Sequence, residues 1–146
     1  MYADDTLIYC GDKKKLIENR LNMNVHNMTK WLQANKLILN PQKTRVMLIG
    51  TAPKLKKSSP LKIQILGQTI KQVHSHKHLG VVIDSKRSFS KHVTNVCNKI
   101  NSSISLLNRT RKFVNQSTSV LLYNALVLPH IDYCCMVWGV KPHSYH

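Results

Sequence analysis

Asp4 and Asp5 are adjacent carboxylates, and their type and spacing are the best suited to metal-dependent chemistry in this 146-residue chain. Nucleotidyl transfer to a 3′-hydroxyl uses two magnesium ions, and magnesium prefers carboxylate oxygens. Because neighbouring side chains of a strand point to opposite faces, both carboxylates can reach metal only where the backbone turns. The pair therefore predicts a Mg2+-binding hairpin tip. The alternative is a pair of solvated turn residues near a terminus, and the tetrapeptide alone leaves both open.

The residues that follow indicate the elements that would position this pair. Residues 6–10 are rich in β-branched and aromatic side chains and predict the strand that leaves the hairpin. The strand that enters the hairpin would precede Met1. We therefore expect part of a metal-dependent nucleotidyl transferase to be missing from this chain. A helix follows, which Asp12 can cap. Its apolar residues recur at helical spacing: Ile17, Leu21, Val25, Met28 and Leu32.

The rest of the chain changes from strands to helices near residue 86. Strands are predicted at 37–39, 44–49 and 79–83, with a basic loop at 51–60 and a hairpin of 61–66 and 69–73 around Gly67-Gln68. One later helix is predicted from an apolar face formed by Val93, Val96, Cys97, Ile100, Ile104 and Leu107. Ser117 can cap a second helix that runs through Leu128, and a short helix is predicted at 131–138. The predicted fold class is α+β.

Several motifs in one order carry a resemblance to a known family. Tyr2-Ala3-Asp4-Asp5 resembles the catalytic motif of reverse transcriptases. The motifs that follow it are Asn40-Pro41-Gln42-Lys43-Thr44, then His78-Leu79-Gly80-Val81, and finally residues 122–135 with Val137-Trp138-Gly139. Together they make nearly the whole chain similar to the distal palm and thumb of a jockey-like, non-LTR retrotransposon reverse transcriptase.

The resemblance implies a domain organisation and a function. Residues 1–86 would be a partial palm, an antiparallel sheet with a packed helix, and residues 87–146 a helical, thumb-like region. The chain would be the C-terminal part of an RNA-directed DNA polymerase, with Mg2+ as cofactor. Its partners in the intact enzyme would be an RNA template, a DNA primer and a nucleoside triphosphate.

The resemblance also implies roles for individual residues. Asp4 and Asp5 would bind Mg2+, and Lys43 would approach the triphosphate, where it can act as a point charge or proton donor. The remaining residues implied to contact nucleic acid are Tyr2 and Ala3 at the primer terminus, Leu79 and Gly80 in the primer grip, and the cluster Arg109, Arg111 and Lys112. For each the alternative is structural: a solvated lysine, packing residues, a tight turn, or cations that complement a helix dipole.

Acidic residues are scarce, and this limits what the chain can do by itself. The six acids are Asp4, Asp5, Asp12, Glu18, Asp84 and Asp132. Polymerases of the resembled family use a third aspartate from a strand upstream of the hairpin, and Asp84 lies in a different segment. We therefore expect no polymerisation by this chain alone.

The charge indicates a polyanionic partner. Twenty-two Lys and Arg residues against six acids give a net charge of +16, spread along the chain. Such an excess is typical of nucleic-acid-binding proteins. A non-catalytic, basic nucleic-acid-binding remnant is therefore the alternative function. No apolar run is long enough to cross a bilayer and no signal peptide is recognisable, so we expect a cytosolic or nuclear protein.

A third hypothesis is a small metal-binding module. His74, His76 and His78 alternate and would share one face of a strand, as zinc ligands could. The cysteines, Cys10, Cys97, Cys134 and Cys135, have no metal-binding spacing and imply a reducing environment. Trp31, Tyr123 and Trp138 lie at helical spacing with aliphatic residues and are predicted to be core residues.

Overall fold

The computed structural model describes residues 5–11 and 14–139. The chain divides into two compact units, residues 1–76 and residues 77–146. Tyr2, Ala3, Asp4 and the predicted helix cap Asp12 lie outside the described residues. The predicted boundary between a palm-like and a thumb-like region, at residues 86 and 87, stays a prediction. Helices and small two-stranded sheets make the chain α+β, as expected.

The first unit begins with a long helix, α1 (Lys14–Ala34), where the apolar spacing predicts one. All five predicted face residues, from Ile17 to Leu32, are partly buried. The helix ends in a Schellman motif, in which Lys36 takes the left-handed conformation with φ 58°. The N–H groups of Leu37 and Lys36 then donate to the carbonyls of Leu32 and Gln33 at 2.8 and 3.0 Å.

The core of the first unit lies under α1. Strands β1 (Gln64–Ile65) and β2 (Gln68–Thr69) form an antiparallel hairpin. Its buried apolar residues are Leu61, Ile63, Ile65 and Ile70, against which Leu21, Val25, Leu39, Val46 and Leu48 pack. The hairpin is confirmed, but its turn is Leu66-Gly67 and not Gly67-Gln68, since Ile65 pairs with Gln68. A short helix, α2 (Ala52–Lys56), lies in the segment predicted as a loop.

A second hairpin joins β3 (Ser75–His78) to β4 (Val81–Asp84) through Leu79-Gly80. Both Leu-Gly turns have positive φ at both residues: 50° and 76° at Leu66-Gly67, and 44° and 84° at Leu79-Gly80. Two-residue turns of this kind match the twist of the flanking strands, and they favour Gly, Asn or Asp. Leucine is therefore strained at the first position of each turn.

The second unit is mainly helical. It contains α3 (Ser90–Thr110), a 3-10 helix (Arg111–Phe113), α4 (Gln116–Leu126), α5 (Leu128–Asp132) and α6 (Cys135–Trp138). α3 packs against β4, α4 and α5. Its predicted face is confirmed in part. Val96, Ile100 and Leu107 are partly buried, whereas Val93, Cys97 and Ile104 are exposed. The residue of α3 that is buried is His92, which is 5% exposed.

Several predicted elements are absent. Residues 6–10 and 37–39 form no strand, and residues 44–49 contribute a single parallel bridge from Val46 to Gln72. β-branched composition alone does not make a strand without a hydrogen-bonded neighbour.

Two further predictions concern single residues and differ from the structure. Asn115 and not Ser117 caps α4, because the Asn115 Oδ1 accepts a hydrogen bond from the Thr118 N–H at 2.8 Å. Two of the aromatics predicted in the core are exposed, Trp31 by 52% and Tyr123 by 42%.

Candidate nucleic-acid interface

Asp5 is the member of the carboxylate pair that the structure describes, and it is exposed. An exposed carboxylate has the hard oxygen donors that Mg2+ prefers. Among the described residues, no group of three or more His, Cys, Asp or Glu side chains could hold a metal ion. Asp5 would therefore need Asp4 and a further oxygen donor to organise a two-metal site.

The carboxylate of Glu18 is bound to the backbone of another segment. Its Oε1 accepts a hydrogen bond from the backbone N–H of Lys62 at 2.7 Å. One helical turn later, Asn22 donates to the Lys62 carbonyl at 3.0 Å and accepts from the Gln64 N–H at 3.1 Å. These two side chains fasten α1 to the backbone next to β1, which is a structural role.

Asp84 is occupied as well. Its Oδ1 accepts from the N–H groups of Lys86 and Ser88 at 2.9 and 3.2 Å, and its Oδ2 from the Phe89 N–H at 2.8 Å and the Ser88 hydroxyl at 3.1 Å. Partial burial by itself would raise the pKa of Asp84, but these hydrogen bonds outweigh it and lower the pKa. The carboxylate stabilises a strained loop, in which Arg87 and Phe89 both have φ 54°.

Lys43 lies on a turn that a single asparagine organises. The Asn40 Oδ1 accepts from the N–H groups of Gln42 and Lys43 at 3.0 and 3.2 Å. The Asn40 carbonyl accepts from the N–H and the hydroxyl of Thr44 at 3.1 and 2.8 Å. The lysine is exposed, so its ammonium group is accessible to a ligand phosphate.

The Leu79-Gly80 turn is held by a residue far along the chain. The Tyr133 hydroxyl donates to the Leu79 carbonyl at 2.6 Å. A Cβ on Gly80 would lie 3.0 Å from Cε1 of the Tyr133 ring. Glycine is thus required at this position both by its φ of 84° and by the ring. The neighbouring Leu79 side chain is 40% exposed.

A buried histidine holds the strand that leaves this turn. The Nδ1 of His92 accepts a hydrogen bond from the Val82 N–H at 3.3 Å, and its Nε2 has no partner among the described residues. The Trp138 ring lies 5.2 Å from the imidazole in an edge-to-face arrangement. The Trp138 indole N–H in turn donates to the Tyr133 carbonyl at 2.8 Å. Burial, and then the positive charge of Lys99, lowers the pKa of His92.

The basic cluster Arg109, Arg111 and Lys112 lies where α3 passes into the 3-10 helix, and all three residues are exposed. Phe113 follows directly and is 85% exposed. An exposed aromatic ring beside cations is a usual surface for stacked bases and phosphates. Phe113 was not among the residues predicted from the sequence, although an aromatic residue directly after two cations is a signal visible there.

Comparison with known proteins matches the first part of the chain to a family. The model of the family described as reverse transcriptase (RNA-dependent DNA polymerase) matches residues 1–83 of the 146. This chain belongs to the reverse transcriptase family. The matched segment contains the Tyr2-Ala3-Asp4-Asp5 motif, Lys43 and the Leu79-Gly80 turn.

The curated relatives of this reverse transcriptase sequence come from non-LTR retrotransposons. It is 28% identical over 94 residues to the probable RNA-directed DNA polymerase from transposon X-element of Drosophila melanogaster, covering 62% of this chain and 10% of that protein. It is 24% identical over 152 aligned residues to the RNA-directed DNA polymerase from mobile element jockey of the same species, covering 99% of this chain and 16% of that protein.

A further relative is the retrovirus-related Pol polyprotein from type-1 retrotransposable element R1 2 of Nasonia vitripennis. The two are 23% identical over 94% of this chain and 35% of the polyprotein. This reverse transcriptase sequence therefore spans about a tenth to a third of the length of these relatives. No solved structure matches it significantly.

Two further findings concern a metal site and membrane-spanning helices in this chain. The histidine metal module is wrong, because His74, His76 and His78 do not converge and no metal-binding group forms among the residues described. None of the helices within residues 14–139 is long and apolar enough to span a bilayer.

Proposed function

We propose that this chain carries the metal-binding carboxylates and part of the nucleic-acid surface of a non-LTR retrotransposon RNA-directed DNA polymerase. The observation that carries this proposal is the position of Asp4 and Asp5 within the family match, together with the exposure of Asp5. Their oxygens are suited to Mg2+. When bound, Mg2+ would supply charge neutralisation at the triphosphate and an activated primer hydroxyl.

The other residues of the matched segment bind substrate in this proposal. Tyr2 and Ala3 adjoin the primer terminus. Lys43 presents its charge to the triphosphate from the turn that Asn40 organises. Residues 1–86 then act as part of a palm, and residues 87–146 as a thumb.

The second group of residues binds the template-primer duplex of RNA and DNA. Leu79 and Gly80 contact the primer backbone at the hairpin tip. Arg109, Arg111 and Lys112 neutralise phosphates, and the exposed ring of Phe113 stacks on an unpaired base. Each neutralised phosphate releases counterions, so binding weakens as salt rises.

A non-catalytic nucleic-acid-binding role is the second candidate, favoured by the net charge of +16. Glu18 and Asp84 each bind backbone N–H groups and are not spare metal ligands. Neither of them can therefore serve as the third carboxylate of a two-metal site. In this proposal the 146-residue chain binds nucleic acid but does not extend a primer by itself.

Metal-directed cleavage tests the carboxylate pair without requiring polymerase activity. Fe2+ in place of Mg2+, with ascorbate as reductant and hydrogen peroxide as oxidant, should cleave the backbone near residues 4 and 5. Asp4→Asn with Asp5→Asn should abolish this cleavage, whereas Asp132→Asn, at an exposed acid of α5, should leave it intact. Cleavage that persists in the Asp4→Asn, Asp5→Asn variant would exclude the metal site. Salt-dependent binding of an RNA–DNA duplex, unchanged in that variant, would then leave the non-catalytic role.

A further inference from the structure

The Leu79-Gly80 turn adopts a conformation that its own sequence disfavours. Leu79 has φ 44°, in the left-handed region where a non-glycine side chain is strained. Such conformations persist where the surrounding structure holds them. The hydrogen bond from the Tyr133 hydroxyl to the Leu79 carbonyl, at 2.6 Å, is the contact that can do so.

The ring of Tyr133 also occupies one face of the turn. Its Cε1 and hydroxyl oxygen lie 3.0 and 3.3 Å from the point where a Cβ of Gly80 would be. A nucleic-acid backbone cannot pass over that face of Gly80 while the ring is there. Away from that face, the Leu79 side chain is 40% exposed, beside a Tyr133 that is 51% exposed.

The backbone of Tyr133 is itself fixed within the second unit. Its carbonyl accepts the Trp138 indole N–H at 2.8 Å. Trp138 packs edge-to-face against His92, whose Nδ1 accepts the N–H of Val82 in β4. The chain of contacts therefore leaves the hairpin at Leu79 and returns to it at Val82.

We propose that Tyr133 is a positioning residue that fixes the Leu79 carbonyl in the Leu79-Gly80 turn and so directs the Leu79 side chain towards the primer strand. This inference rests on the proposed function, in which the turn contacts nucleic acid. Tyr133 acts through the turn and does not touch the reacting atoms. The turn at Leu66-Gly67 has the same two residue types, also with positive φ at both, but nothing lies within 4 Å of a Cβ on Gly67, so the contact with a tyrosine is particular to Leu79-Gly80.

Photo-cross-linking from the turn tests the inference on the full 146-residue chain. Leu79 is replaced by p-benzoylphenylalanine, and the probe is a labelled DNA primer annealed to an RNA template. Tyr133→Phe removes only the hydroxyl and should lower the cross-linking yield about threefold to tenfold, the population shift expected for one lost hydrogen bond. The affinity for the duplex, measured by fluorescence anisotropy, should change by less than about twofold, since the phosphate contacts remain.

Tyr123→Phe is the matched control, because it removes a tyrosine hydroxyl from α4 of the same unit. It should leave both the cross-linking yield and the affinity unchanged. The parent in this comparison is the chain with p-benzoylphenylalanine at position 79 and Tyr133 intact. Equal cross-linking yields with and without Tyr133→Phe would overturn the positioning role. Absence of any cross-link in the parent would also overturn it, by showing that the turn does not meet the primer. Failure of the proposed function has a different signature: no salt-dependent binding of the duplex by any variant.

Discussion

The imidazole Nδ1 of His92 accepts a hydrogen bond from the backbone N–H of Val82 at 3.3 Å, inside the second unit. A neutral imidazole can accept at one nitrogen, whereas a protonated one donates at both. Protonation of His92 therefore breaks this bond and places a charge in a site that is 5% exposed. The strand after the Leu79-Gly80 turn is thus tied to a group that titrates.

The first prediction concerns acid stability. Because the pKa of His92 is lowered in the folded protein from its ordinary 6.5, the unfolded chain takes up the proton at higher pH. The contribution of His92 to stability is present above pH 6.5 and is lost as the pH falls through the folded pKa. His92→Asn keeps an acceptor near Nδ1 but cannot titrate, so its unfolding free energy should fall less steeply below pH 6.5 than that of the parent.

The two tryptophans permit this measurement unit by unit. Trp31 lies in the first unit and Trp138 in the second. Urea unfolding followed by fluorescence in a Trp31→Phe background therefore reports the unit that contains His92. Parallel pH profiles for the parent and His92→Asn would rule out the His92 contribution.

The second prediction concerns the loop before α3. Asp84→Asn should lower the unfolding free energy by about 1.5–3 kcal/mol, because the carboxylate accepts hydrogen bonds from three backbone N–H groups. The pKa of Asp84 is lowered in the folded protein from its ordinary 3.8. This contribution to stability is therefore present above pH 3.8 and is lost as the pH falls through the pKa of the folded state. Asp132→Asn, an exposed control, should change stability by less than about 0.5 kcal/mol in the same Trp138 assay. An equal effect of the two variants would contradict the role of Asp84.

The third prediction compares the two Leu-Gly turns. Gly67→Ala should cost about 1–2 kcal/mol, the cost of a left-handed alanine. Gly80→Ala introduces the same backbone strain, and its Cβ would also lie 3.0 Å from the Tyr133 ring. It should therefore lower the unfolding free energy by about 1–3 kcal/mol more than Gly67→Ala does. Thermal unfolding with Trp31 or Trp138 as the reporter of each unit checks the difference. Equal costs would show that the Tyr133 ring yields without penalty.

The fourth prediction concerns the turn that carries Lys43. Asn40→Ala removes the acceptor of the Gln42 and Lys43 N–H groups, and hydrogen exchange at these two amides should become about threefold to tenfold faster. Asn40→Asp retains an oxygen at Oδ1 and should preserve the slow exchange. Protection that is unchanged in Asn40→Ala would show that the backbone alone holds the turn.

The fifth prediction concerns Phe113. Phe113→Ala should weaken binding of a single-stranded oligonucleotide about tenfold, the loss expected for one stacked base. Arg111→Gln should instead reduce the slope of log affinity against log salt by about 1. Leu121→Ala, at a 68% exposed residue of α4, is the control and should change neither quantity. A Phe113→Ala variant that binds as the parent does would place the stacking surface elsewhere.

Local patterns account for much of what was predictable from sequence. Helical spacing of apolar residues located α1 and α3, because a helix makes its hydrogen bonds within one segment. The order of the motifs indicated the reverse transcriptase family, which the family match confirms. The site residues assigned through the resemblance stay predictions, because side-chain roles depend on the assembled substrate.

Tertiary structure decided what local patterns could not. Strands at 6–10 and 37–39 failed because a strand needs a partner, and the sequence does not name one. The fold, and not any sequence pattern, places backbone N–H groups against the carboxylates of Glu18 and Asp84. Only the folded chain brings Tyr133 to Leu79, 54 residues away, because packing of the C-terminal helices and not any local propensity sets that contact.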